Sequence, residues 1–267
     1  MMKILVTGGN GFVGKFIVNH LSQNHIIFNP RSSELDLKNL NQVNQWFDQN
    51  HVDAVVHCAL TGREELFSEN PQYLSDGLLM FRNLWLNRHK FNRFINLGTA
   101  YEFDLSKNNF NVTGDQIINH LPTTSYGYAK NVVARIIHQT SEFYNLRLFG
   151  VFHETENNNR FFQKVKQQDE IVINNDIYLD YMYLPDILPM LELMVEGRSQ
   201  NRDINMVYPT KYLLSEMAGI LCNQLNLPTS KIKILNKLEN NLTGDSTLLE
   251  SYKFNLIGLE TGLRNYK

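Results

Sequence analysis

Apolar residues follow two alternating patterns through the first half of the chain. Short continuous runs predict strands over Lys3–Thr7 (KILVT), Ile26–Phe28, 53–59 (DAVVHCA), 93–97 (RFINL) and 146–149. A strand covered by helices on both faces is apolar throughout, so such runs suit the interior of a parallel sheet. Between them, apolar residues three and four apart predict helices over Phe12–Leu21, 40–47, 73–86 and 126–144. Strand and helix in alternation predict a parallel sheet with right-handed crossovers. The rhythm weakens after Gly150. A polar loop at 154–160 (ETENNNR) precedes short predicted strands at 171–173, 178–183 and around Ile232 and Ile234, and helices at 184–195 and 213–225.

Composition narrows the class. The 267 residues are 43% hydrophobic, enough for a full core without a disulfide or metal staple. A net charge of −2 gives no basic stripe for a nucleic-acid polymer. No apolar run approaches the roughly 18 residues of a membrane span. The start, MMKILVTGG, runs into a strand without the apolar core of a signal peptide, and Cys58 and Cys222 make no disulfide framework. A reducing cytoplasm is therefore expected, and the sequons at Asn111 and Asn241 read as chance. The 33 asparagines against 6 alanines are dispersed among periodic segments, as AT-rich coding would produce.

The first strand leads into Thr7-Gly8-Gly9-Asn10-Gly11-Phe12-Val13-Gly14, and a helix follows. Glycines at 8, 11 and 14 suit a tight turn, close approach of a pyrophosphate, and close helix–strand packing. The helix N-terminus offers unpaired N–H groups and a positive dipole to phosphates. The strand-before, helix-after context makes this a dinucleotide loop. The second strand ends in Asn29-Pro30-Arg31-Ser32-Ser33, without the acid that binds a ribose 2′-hydroxyl. Arg31 and Ser32 suit a 2′-phosphate, which favours NADP(H), with NAD as the alternative. Asp36 and Leu37 belong with this cofactor group; Asp36 reads as an adenine contact or as the N-cap of the helix over 40–47.

Tyr126 and Lys130 stand at i and i+4, on one helix face. A phenol ionises near 10 in water, and a neighbouring ammonium would bring it toward neutrality. His57 reads as a satisfied core histidine and Cys58 as a packed strand residue. The other histidines have no metal-ligand spacing, so no metal site is expected.

Together these residues resemble the extended short-chain dehydrogenase/reductases, the NAD(P)-dependent sugar-nucleotide epimerases, dehydratases and reductases. The resemblance covers nearly the whole chain: TGGNGFVG, DAVVHCA, Asn96-Leu97-Gly98-Thr99, YGYAK, RLFGVF, the stretch from Tyr178 to Asp186, and a closing helix at 258–264. It implies a Rossmann doubly wound parallel sheet with a small C-terminal α/β substrate lobe. Residues 1–150 would be the cofactor domain, with 171–198 returning to it; 151–170 and 199–267 would be the lobe. It also implies that the Cys58-Ala59-Leu60 backbone runs along the cofactor and that Phe149 and Val151 border the nicotinamide. Thr99 would hydrogen-bond the sugar C4 oxygen, Tyr126 would exchange its proton, and Lys130 would bind the nicotinamide ribose and tune Tyr126. Hydride would pass between nicotinamide C4 and sugar C4.

Departures from the family narrow the reaction. Ala100-Tyr101 stand where the 4,6-dehydratases carry Asp-Glu, and Tyr101 replaces the cysteine of the fucose-synthase branch. That branch's histidine has no counterpart between Glu154 and Arg160; His153 reads as a base or as strand-end packing. The expected activity is reduction of a nucleotide-linked 4-keto-6-deoxyhexose for surface polysaccharide, or C4 epimerisation with tightly bound NAD. Thr99, Tyr126 and Lys130 together argue against a cofactor sensor without turnover. Tyr101, Arg160, Phe161 and Asp180 are substrate-side candidates. Arg160 reads equally as a helix start, and Asp180 as a structural hydrogen-bond partner. By resemblance the partner is a second copy of the chain, a homodimer through the helices at 73–86 and 126–144, with no membrane or nucleic-acid polymer involved.

Overall fold

The computed structural model describes residues 1–60, 70–236 and 240–266. In chain order the larger elements are β1 (Lys3–Thr7), α1 (Phe12–Leu21), β2 (Ile26–Phe28), α2 (Leu40–Gln49), β3 (Ala54–His57), α3 (Pro71–Leu86), β4 (Arg93–Thr99), β5 (Asn109–Val112), α4 (Ser125–His138), β6 (Phe143–Leu148) and β7 (Val151–Phe152). They continue with α5 (Phe161–Gln167), β8 (Ile171–Asn175), β9 (Met182–Tyr183), α6 (Leu188–Val195), β10 (Asp203–Met206), α7 (Leu214–Gln224), β11 (Ile232–Asn236), β12 (Leu242–Gly244), α8 (Thr247–Ser251) and α9 (Leu259–Leu263). Among the described residues, no helix is long and apolar enough to cross a membrane.

The chain divides into two compact units. The first comprises Met1–Asp104, Asp115–Arg147 and Leu188–Ile204; the second comprises Leu105–Gly114, Leu148–Ile187 and Asn205–Lys267. The segment that rejoins the first unit is thus 188–204, where the sequence reading has 171–198, and 105–114 belongs with the second.

A six-stranded sheet in the order β2-β1-β3-β4-β6-β10 is the centre of the first unit. The pairings of β1 with β2, β1 with β3, and β3 with β4 are parallel. The order reverses between β1 and β3, and at such a switch point the strand ends leave a crevice for a ligand. One face buries an aromatic-rich core in which Phe47, Phe81, Phe91, Phe94 and Phe143 from α2, α3, β4 and β6 meet. Phe94 and Phe143 stack at 4.8 Å between centroids. Outside that cluster, His20 of α1 meets Glu192 of α6 at 2.7 Å. Side chains set the helix starts: Asn39 accepts from the amides of Asn41 and Gln42, Asn70 stands before Pro71, and Thr124 accepts from Gly127.

Two predicted elements change. The helix expected over 126–144 stops at His138. The Thr140 hydroxyl donates to Ile136 O at 2.7 Å, and Glu142 at φ 60° reverses the chain, so Phe143 and Tyr144 enter β6. The helix expected over 184–195 opens as a 3-10 turn, Leu184–Ile187, because Pro185 and Pro189 have no amide to donate.

The second unit is built from strand pairs too short to carry a sequence pattern: β5 with β12, β7 with β9, and β8 with β11, all parallel. Of the strand expected over 178–183, only Met182 and Tyr183 form one; Tyr178 and Leu179 make single bridges to Leu213 and Leu242. Buried carboxylates hold the loops. Asp186 accepts from the Tyr208 hydroxyl, Ile257 N at 2.8 Å and Gly258 N at 2.9 Å, which fixes the entry to α9.

Candidate active site

At the switch point, Gly8 takes φ +68°, and a side chain there would meet the Ala59 backbone at 2.6 Å. A Cβ on Gly14 would meet Gly8 O at 2.3 Å. The turn therefore admits only hydrogen at both places, and the loop lies against the Cys58–Ala59 backbone, where Cys58 N donates to Thr7 O at 3.0 Å. Gly11 is the N-cap of α1 and, having no side chain, makes no cap hydrogen bond, as suits a helix start that receives an anion. Asn10 and Leu60 are exposed. Asn29, at the end of β2, carries a buried Oδ1 with no partner, and this atom lies against Gly9. A glycine cradle, an uncapped helix start and an orphaned acceptor fit a dinucleotide phosphate and its ribose.

Around the β2 end, Arg31 and Ser32 are exposed in a turn that Glu34 closes by accepting from Arg31 N at 2.7 Å. The α2 cap is Asn39, not Asp36, because Asp36 is spent locally: its Oδ1 accepts from Lys38 N at 3.0 Å. The Leu37 side chain is in the core and its carbonyl accepts from Asn83, so only its backbone borders this region.

β4 delivers Thr99 and α4 delivers Tyr126 and Lys130. The Thr99 hydroxyl, which accepts from Tyr101 N at 3.3 Å, lies close enough to the Tyr126 phenol to act on its ionisation. Tyr101 sets its ring edge-on to that of Tyr126 at 5.7 Å. Burial pushes the Tyr126 phenol well above its ordinary value; the Thr99 hydroxyl opposes this and the Glu102 carboxylate adds to it. Lys130 Nζ donates to Leu97 O at 2.8 Å, which aims the ammonium along β4 rather than at the phenol. Burial lowers Lys130, while Glu102 and Cys58 raise it. A cavity of about 20 Å³ is lined by Tyr126, Lys130, Asn96, His57, Ala59 and Tyr73.

His57 is a core histidine. Its Nδ1 pairs with the Thr7 hydroxyl at 2.7 Å, and burial followed by the nearby Lys130 charge lowers it to about 3. Burial pushes the Cys58 thiol up to about 12, so it is no nucleophile at neutral pH.

The sequence reading missed Glu102. Its side chain is fully buried; Oε1 accepts from Thr99 N at 2.9 Å, and Oε2 meets Arg147 Nε at 2.6 Å. The signal was present: Thr99-x-x-Glu102 is a capping box, and the 3-10 turn Ala100–Glu102 uses it.

The remaining candidates lie in the second unit and have internal partners there. Phe149 rests on Gly244, and Val151 pairs with Met182. Arg160 precedes α5 with its guanidinium on Glu156 at 2.9 Å and on Val151 O; Phe161 faces Tyr181. Asp180 accepts from Lys211 Nζ and from Gly244 N, both at 2.8 Å. His153 stacks on Tyr183 and pairs with the Thr155 hydroxyl, a packing arrangement.

Three kinds of likeness accord with this geometry. The chain is 25% identical to a GDP-L-colitose synthase of Yersinia pseudotuberculosis, over 98% of this chain and 96% of that one. A GDP-mannoheptose C4 reductase from Campylobacter jejuni, solved with NADP bound, shares the fold with a TM-score of 0.82 at 17% identity, over 99% of this chain and 96% of that one. A dTDP-4-dehydrorhamnose reductase from Clostridium acetobutylicum shares it with a TM-score of 0.82 at 17% identity, over 99% and 98%. The family model matches residues 4–206, from within β1 to the end of β10, so this chain belongs to the NAD dependent epimerase/dehydratase family.

Proposed function

We propose that the protein is an NADP(H)-dependent reductase of a nucleotide-linked 4-keto-6-deoxyhexose, of the kind that supplies sugars for surface polysaccharide. The observation that carries this reading is the Thr99–Tyr126 pair: a buried phenol on α4 set beside a buried hydroxyl at the end of β4, with Lys130 one turn further along the same helix. A reductase needs a proton donor at the oxygen that becomes the alcohol, and a phenol, protonated at neutral pH, is such a donor. Thr99 would hold the ketone oxygen and Tyr126 would give it the proton. Ala100 and Tyr101 supply no acid–base pair for eliminating water, so reduction is left without dehydration. NADP(H), when bound, supplies the hydride. The loop 8–14 would hold its pyrophosphate, Arg31 and Ser32 its 2′-phosphate, and Lys130 its nicotinamide ribose.

The relatives support the substrate class, since those compared are described as synthases or reductases of GDP- and dTDP-linked sugars. The test is NADPH oxidation against a panel of GDP- and dTDP-linked 4-keto-6-deoxy sugars, with product stereochemistry. One NADPH consumed per sugar supports the reading. Turnover of a 4-hydroxy sugar with no net NADPH use would replace it with epimerisation.

A further inference from the structure

Beneath Thr99 lies a polar cluster that the proposed chemistry does not itself use. Glu102, Arg147, Asn145 and Asp203 are joined in the interior of the first unit. Arg147 is completely buried; its Nη2 donates to Asp203 Oδ2 at 2.8 Å while its Nε reaches Glu102. Asn145 Nδ2 is shared between Glu102 Oε2 at 3.1 Å and Asp203 Oδ1 at 3.2 Å, and Asn145 Oδ1 accepts from Asn96 at 2.7 Å. Gly98 leaves room for this, since a Cβ there would meet Asn145 Oδ1 at 2.5 Å and Glu102 Oε1 at 2.6 Å.

Such a cluster is a poor stabiliser, because burying charges costs as much as their pairing returns. Its placement suggests another use. Glu102 is reached by three donors, Thr99 N, Arg147 Nε and Asn145 Nδ2; burial pushes its carboxyl up, and the Arg147 charge and the bonds from Arg147 and Thr99 N oppose this by favouring the ionised form. The first donor is the backbone of the residue that meets Tyr126.

We propose that Glu102 is a positioning residue: its side chain, anchored by Arg147 and Asn145, clamps the Thr99 amide and so holds the Thr99 hydroxyl beside the Tyr126 phenol. The cluster carries two acids to one guanidinium, so its net charge is negative. That field opposes ionisation of Tyr126 and favours the ammonium of Lys130. Among the described residues, the groups around Tyr126 are Thr99, Tyr101 and Glu102 from the β4 end and its turn, Lys130 from its own helix, Tyr73 from α3, and His57, neutral, from β3. Among these described residues, Glu102 is the acidic group that raises the phenol. The proposal deepens the reductase reading and rests on it for its effect on rate.

The test compares wild type with Glu102→Gln, which keeps the shape and an acceptor but removes the charge. The expected result is a 10- to 100-fold loss in kcat, with NADPH Kd and substrate KM within about threefold, because only transition-state positioning is lost. The titration of Tyr126, followed by NMR on protein carrying ¹³Cζ-tyrosine and assigned with Tyr126→Phe, should move to lower pH. In a cycle with Thr99→Ala the two losses should be less than additive, since Glu102 acts through Thr99. An unmoved Tyr126 titration, additive losses, or kcat within threefold of wild type would overturn the proposal. Should Glu102→Gln not fold, Asp203→Asn, which loosens Arg147 and leaves Glu102 in place, is expected to lower kcat less with the same KM pattern; an unchanged kcat there would count against the clamp. The titration needs no substrate, so a wild-type protein that reduces no 4-keto sugar nucleotide would sink the reductase reading and leave the clamp measurable.

Discussion

Buried charge does different work in the two units. In the first, the chain of contacts from Asp203 through Arg147 and Glu102 ends on Thr99, whose hydroxyl meets the Tyr126 phenol. In the second, Asp180 ends on Gly244 N and Asp186 on the amides of Ile257 and Gly258. The first unit has long helices and a continuous sheet to hold it, so its buried polar groups can aim a reactive side chain. The second has only two-stranded pairs, so its carboxylates take the place of missing ladder bonds and tie loops by their N–H groups.

The largest effect should come from the first unit. Tyr126→Phe is expected to lower kcat by about 10²- to 10⁴-fold, the range for a lost general acid, with NADPH affinity by fluorescence titration kept within about twofold. A variant retaining more than a tenth of the wild-type rate would remove the acid assignment and blur the contrast. Next is the second unit's lock. Lys211→Met leaves the Asp180 carboxylate buried without its cation, which should cost about 3–5 kcal/mol in urea unfolding, with hydrogen exchange loosened first around β12. Unchanged protection there would show that Asp180 does not hold the loops.

Arg31→Ala should weaken NADPH by roughly 10- to 100-fold, the worth of a charge-assisted contact at about 1.5–3 kcal/mol, and leave NADH unchanged. Equal affinities for the two cofactors in the wild type would break that assignment. The smallest effect is one of pH. Folded His57 is lowered to about 3 against 6.5 unfolded, so the unfolded chain binds the extra proton between those values and stability falls as pH falls. From pH 7 to 5.5 this group should cost about 1.2 kcal/mol. Asp180, raised by burial to about 6 against 3.8, runs the other way, since the folded state takes up its proton first. Hydrogen exchange should therefore show β1 and β3 loosening with acid while β12 does not. Uniform loosening would mean that these groups do not set the regional response.

How much could be read in advance follows the same division. KILVT, IIF, AVVH and RFINL are visible as strands because a covered parallel strand must be apolar throughout. Thr99, Tyr126 and Lys130 are visible because their spacing is local to one strand end and one helix. Two readings failed where local backbone geometry intervened. The helix over 126–144 ended at His138, with Glu142 reversing the chain, and the α2 cap passed from Asp36 to Asn39. Arg160 and Asp180 read equally well as substrate ligands or as structural groups; only Glu156 and Lys211, brought from elsewhere, show the structural partnership.

By itself the sequence determined the alternating α/β plan, the glycine turn after β1 and the Thr99, Tyr126, Lys130 set. Each of these is encoded by periodicity or by neighbours within a few residues. Only the tertiary structure decided what surrounds that set. Glu102, Arg147 and Asp203 lie 45 and 56 residues apart along the chain, as successive contacts, and meet because β6 is placed between β4 and β10. Strand order in a sheet is set by the packing of whole elements, and no local pattern records it. The charge that bears on Tyr126 is therefore a property of the fold.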